Sequence, residues 1–170
     1  YYGSAIYRTI AQGFGGAIRG VLWWQGEGNA GSGIDNYRTQ QAALVANLRR
    51  DLGAGVFFGN CQLATNGANT TEQELRDYLE PQEAQRQYVQ KDAASSLATM
   101  IDLPRDDEYH LNNSAVKQAG VRLANGVLTR SYGIARALPP VLGAVRFSDG
   151  RRQIEVSYDR ATTGGAAELY

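Results

Sequence analysis

Hydrophobic and polar positions change period several times along the chain, and each change marks a boundary between predicted elements. Ser4 to Phe14 has helical composition, whereas Ile18 to Trp24 (Ile-Arg-Gly-Val-Leu-Trp-Trp) is the mostly apolar run expected of a buried strand. A polar, Gly-rich loop from Gly26 to Gly33 follows it. Ile34, Tyr37, Ala42, Leu44, Val45, Leu48 and Leu52 then form an amphipathic stripe that stops at Gly53, which predicts a helix over residues 34–52. Val56 to Ala64 suits a second strand, Thr65 to Thr71 a loop, and Glu80 to Ala94 a second long helix whose Glu80, Gln82, Glu83 and Gln85 are expected to face solvent or a domain boundary. Leu97 to Leu103 is a third strand, ended by Pro104. The spacing of Val116, Ala119, Val121, Leu123, Val127 and Leu128 predicts a helix from Asn113 to Tyr132, capped by Asn113 or Ser114.

Strand, loop and helix thus alternate over residues 1–136, the pattern of an α/β layered domain with a mainly parallel sheet, in which ligands bind at the carboxyl ends of the strands. Pro139-Pro140 breaks that pattern. Val141 to Phe147, the Ser148-Asp149-Gly150 turn and Gln153 to Tyr158 read as a β-hairpin, so residues 137–170 are expected to begin a β-rich element too short to be a second domain.

With 170 residues, 43% of them hydrophobic, the chain suits a single globular domain. Seventeen Lys and Arg balance seventeen Asp and Glu, which argues against nucleic acid or an anionic membrane surface as partner. No apolar stretch approaches the roughly 18 to 20 residues of a bilayer span, and Tyr1 opens no signal-peptide pattern. One cysteine, Cys61, excludes an internal disulfide and suits an inert core thiol; one histidine, His110, excludes a multi-histidine metal site. No metal or organic cofactor is expected, and the glycines at 13, 15 and 16 lack the Gly-Lys-Ser/Thr of a phosphate loop.

Two loops that follow strands carry the chemistry. In Trp23-Trp24-Gln25-Gly26-Glu27-Gly28-Asn29, Gln25 is placed to donate to a developing oxyanion, although Gln25 and Glu27 equally suit the satisfaction of backbone groups in a tight loop. In Asp102 to His110, His110 is the chain's general base near neutral pH, and Asp107, three residues earlier, is spaced to hold its tautomer. A solvated histidine beside acids is the competing reading. Asp106, Asp107 and Glu108 lack the spacing of an EF-hand calcium loop.

The run Ile18-Arg19-Gly20-Val21-Leu22-Trp23-Trp24-Gln25-Gly26-Glu27, then Gln62-Leu63-Ala64, Glu83-Ala84-Gln85, and Asp107-x-x-His110-Leu111 leading into Gly120 to Ala124 resembles, in the same order, the sialate O-acetylesterase-like carbohydrate esterases of the SGNH hydrolase superfamily. The resemblance implies a three-layer, flavodoxin-like α/β/α domain. It also implies hydrolysis of acetyl esters on sugars, of sialic acid or acetylated xylan type, by a serine, a histidine and an aspartate. On that pattern His110 is the base, Asp107 its partner with Asp106 or Glu108 as the alternatives, and Gln25, Gly26 and Glu27 line the acyl site, with Glu27 holding the loop. A secreted or periplasmic setting goes with the family.

One departure is large: the family's Gly-x-Ser-Asn turn, which bears the nucleophile after the first strand, has no counterpart here, and Ser4, Ser32, Ser95 and Ser96 stand in the wrong contexts. The expectation is an esterase domain without its first strand, its serine supplied by a segment upstream of Tyr1. The alternative is a catalytically inactive carbohydrate-binding or interaction domain that keeps the fold.

Overall fold

The computed structural model describes residues 2–13, 17–64, 67, 71–140 and 142–158. Phe14, Val141, most of the expected loop Thr65 to Thr71 and everything past Tyr158 lie outside the described residues. In chain order the elements are α1 (Tyr2–Ala11), β1 (Gly20–Trp23), a 3-10 turn at Glu27–Asn29, α2 (Ile34–Leu52), β2 (Phe57–Cys61), α3 (Glu72–Lys91), β3 (Ser95–Ala98), α4 (Asn113–Tyr132), β4 (Leu142–Ser148), a second 3-10 turn at Asp149–Arg151 and β5 (Gln153–Tyr158).

β1, β2 and β3 form a parallel sheet in that order, with Trp23 opposite Asn60 and Asn60 opposite Leu97. Side chains alternate across a strand, and the two faces bury different helices. On one face Phe58, Val21 and Trp23 meet Val45, Leu48 and Leu52 of α2 and Tyr88 of α3. On the other, Cys61, Ala98 and Met100 meet Ala115, Ala119 and Leu123 of α4. The result is the three-layer α/β arrangement with a parallel sheet. β4 and β5 pair antiparallel with each other around Asp149 and Gly150, both at positive φ.

Several boundaries shift by one to three residues, and three differences from expectation have a definite physical cause. α3 begins at Glu72, eight residues early, because Thr71 accepts from the Glu74 N–H while Glu74 bonds back to the Thr71 N–H; that reciprocal cap starts the helix, which then runs on through Pro81. The third strand is Ser95–Ala98 rather than Leu97 to Leu103, since Met100 to Leu103 closes a turn through the Leu103 N–H and Met100 carbonyl. Asn112, not Asn113 or Ser114, caps α4 by accepting from the Ala115 N–H.

Candidate active site

All three parallel strands end on the same edge, and the segments that leave them there are Trp24 to Gly33, Gln62 onward, and Thr99 to Asn112. A cleft of about 450 Å3 between α2 and α3, by contrast, is lined by Arg49 and Asp92, whose ion pair sits near the strands' opposite, amino ends.

The segment after β3 is closed at its base. Arg105 and Leu111 form an isolated antiparallel bridge, the Asn112 N–H donates to the Pro104 carbonyl, and the Asp106 N–H donates to the His110 carbonyl. Arg122 of α4 holds the start of the same segment through two bonds of 2.6 Å to the Asp102 carboxylate and a third to the Thr99 carbonyl. Within this frame Asp107 Oδ1 accepts the backbone N–H groups of Tyr109 and His110, each at 2.7 Å, and Oδ2 lies 2.8 Å from His110 Nδ1. The bond to His110, then those backbone donors, holds the Asp107 carboxyl down to about 2. His110 Nδ1 is thereby committed to Asp107. Nε2 is left for a reacting group on an imidazole that is 78% exposed.

The segment after β1 is built around the Gln25 carbonyl. The Gln25 main-chain oxygen accepts from Tyr37 Oη at 3.0 Å and from Gln85 Nε2 at 3.1 Å; Gln85 Nε2 also donates to Tyr37 Oη, and Gln85 Oε1 accepts from the Leu63 N–H. Gln85 is fully buried. Gly26 turns the chain here at φ 150°, with Leu63, Tyr37 and Gln85 so close that a Cβ would come within 2.9 Å of Leu63 Cδ1. Glu27 Oε1 accepts from Trp24 Nε1, a contact that ties the loop to itself. The Gln25 side chain donates to Asn29 Oδ1 at 2.6 Å, so one of the two N–H groups expected to face an acyl oxygen is used inside the loop.

Expectation and structure part company over α3. Gln82 and Gln85, expected to face solvent or a domain boundary, are buried because their amides satisfy main-chain groups that the strand ends leave open: Gln82 Nε2 donates to the Leu63 and Ala64 carbonyls, and Gln62 Nε2 returns to the Gln82 carbonyl. The signal available was their i, i+3 spacing around buried Ala84 and Pro81, two amides on an otherwise apolar helix face. These bonds join the β1 and β2 segments, and the Gly67 N–H joins the latter to the Glu108 carbonyl of the His110 loop. Tyr78 of α3 stands near both loops: its hydroxyl is pushed up by burial, then by Glu27, then by Tyr109. Among the described residues no serine hydroxyl is bonded to His110; Ser95 Oγ donates to Asp92, Ser114 Oγ to Asn112, and Ser96 Oγ is buried.

The model of the carbohydrate esterase, sialic acid-specific acetylesterase family matches residues 1–129. The chain belongs to that family of carbohydrate esterases. The matched region contains β1 to β3, both loops and nearly all of α4. Among solved structures the chain resembles a carbohydrate acetylesterase from Xanthomonas citri, at 28% identity over 85% of this chain and with a TM-score of 0.73. It spans 33% of the length of that protein. Among curated proteins none matches the chain.

Proposed function

We propose that this chain is the core of a carbohydrate O-acetylesterase in which His110 is the general base and Asp107 its orienting partner. The observation that carries the proposal is the Asp107 carboxylate, fixed by two backbone donors and placed 2.8 Å from His110 Nδ1. Such a carboxylate selects the imidazole tautomer with Nε2 unprotonated and stabilises the imidazolium once formed.

In the proposed reaction a serine hydroxyl gives its proton to His110 Nε2 as its oxygen attacks the acetyl carbonyl carbon. The tetrahedral oxyanion is met by donors of the Gln25-Gly26-Glu27 segment, the main chain of which Tyr37 and Gln85 hold rigid. Collapse expels the sugar oxygen, which takes the proton from His110. Water then repeats the cycle on the acetyl-enzyme and releases acetate. The serine is proposed to come from protein outside residues 1–170. That reading is supported by the edge position of β1, where Leu22 is 57% exposed, and by the small share of the Xanthomonas protein that this chain spans. An acetylated sugar is the proposed substrate, of sialic acid or xylan type, and no metal or cofactor takes part.

The test is hydrolysis of an aryl acetate and of acetylated saccharides by the intact protein. His110→Ala is expected to lower kcat/KM at least about 1,000-fold, the scale of losing a triad member; retention of activity within tenfold would remove His110 from the mechanism. A second reading, an inactive sugar-binding domain, draws on the lack of a serine hydroxyl at His110 among the described residues. It predicts sugar binding with no acetate released by the intact protein.

A further inference from the structure

Beside the Gln25 loop, between β1 and α2, lies a cavity of about 170 Å3 whose walls include Trp23, Gln25, Tyr37, Gln40, Gln41 and Leu44. It is close in size to the roughly 150 Å3 that accommodates one benzene ring. Two features set it apart from a packing defect. Gln41 is only 4% exposed, yet neither its Nε2 nor its Oε1 has a hydrogen-bond partner. A buried amide left unpaired is costly, and the amide of Gln41 lines a cavity in which an occupant could satisfy it. The rest of the polar wall, by contrast, is fixed: Gln25 donates to Asn29, Asn29 to Gln40, and Gln40 to Asn36, a chain of amides each oriented by the next.

The chemistry of the wall selects the occupant. Among the described residues lining it, none is charged, which disfavours a carboxylate or phosphate. Its lining offers amide donors and acceptors together with the planar ring of Trp23 and the aliphatic side chain of Leu44. A ring that carries hydroxyls at its rim and C–H groups on its face satisfies both, and Gln41 can donate to one hydroxyl and accept from its neighbour. We propose that this cavity is a subsite for a single uncharged sugar ring, next to the catalytic loop, with Gln41 as its principal polar anchor. The proposal rests on the esterase reading for placing a sugar unit here, and it assigns the protein to neutral saccharides rather than to sialic acid.

The test is saturation-transfer NMR and calorimetric titration of the intact protein with methyl β-xyloside, methyl β-glucoside and N-acetylneuraminic acid. The neutral glycosides are expected to bind and to take up saturation from the Trp23 ring, with the charged sugar at least about tenfold weaker. Gln41→Leu, which removes an unpaired buried amide and so retains the fold, is expected to weaken glycoside binding about tenfold or more, while His110→Ala leaves it unchanged. The proposal is overturned if neither glycoside binds, if N-acetylneuraminic acid binds more tightly than both, or if Gln41→Leu binds as the wild type does. Should the variant fail to fold, absence of saturation transfer from Trp23 in the wild type decides against the cavity on its own. Aryl acetate hydrolysis is read in parallel: glycoside binding without hydrolysis refutes the esterase reading and leaves the subsite standing, and hydrolysis without glycoside binding does the reverse.

Discussion

Asp107 shows how an exposed carboxylate acquires a definite state from short-range bonds alone. Its donors are the next residues of its own loop and the imidazole it serves, so its ionisation and the loop's shape are one equilibrium. The folded value of about 2 lies below the roughly 3.9 of free aspartate, so the ionised group favours the folded loop above about pH 4, and that contribution disappears as pH falls through about 2. The Tyr109 and His110 amide resonances are therefore expected to titrate together with a midpoint near 2, and Asp107→Asn to abolish the step. A midpoint near 4 would mean that the dyad is not formed in solution. Cys61 is the opposite case: burial first, then Glu27, pushes its thiol up to about 12. A thiol reagent at pH 8 should leave Cys61 unmodified in the folded protein and label it fully in urea.

At the level of elements, α3 connects the loops through amides rather than through apolar packing. Gln85→Ala strips the Leu63 N–H and one donor to the Gln25 carbonyl at once, an expected loss of about 2 to 4 kcal/mol on denaturant unfolding. An unchanged midpoint would show that water replaces the amide without cost. On the other face, α4 approaches the sheet so closely at Gly126 that a Cβ there would overlap Ser96 Oγ and lie 2.7 Å from its Cβ; Gly126→Ala is expected to cost about 1 to 3 kcal/mol despite its gain in helix propensity. The bounds of helices α2 and α4 were legible to the residue: the stripe of α2 stops at Gly53, and α4 follows the helical spacing from Val116 to Leu128. The start of α3 was not, because Pro81 reads locally as a boundary while the reciprocal cap ten residues earlier, at Thr71 and Glu74, sits in a polar run with no apolar period. The contact between Asp107 and His110 was legible from their three-residue spacing. The burial of Gln82 and Gln85 was not, since it answers open main-chain groups of strands distant in sequence.

For the whole molecule, a parallel sheet with helices on both faces gathers three strand-end loops on one edge and, among the described residues, has β1 as an outer strand beside the Gln25 loop. His110 and Asp107, the proposed base and its partner, lie on that edge, and the proposed nucleophile is a serine from outside the 170 residues. The most direct test is labelling of the intact protein with a serine-directed fluorophosphonate, followed by peptide mapping, in the wild type and in His110→Ala. The prediction is a single adduct on a serine outside residues 1–170, formed in the wild type and lost in the variant. No adduct, an adduct on a serine within these residues, or labelling indifferent to His110 would contradict it.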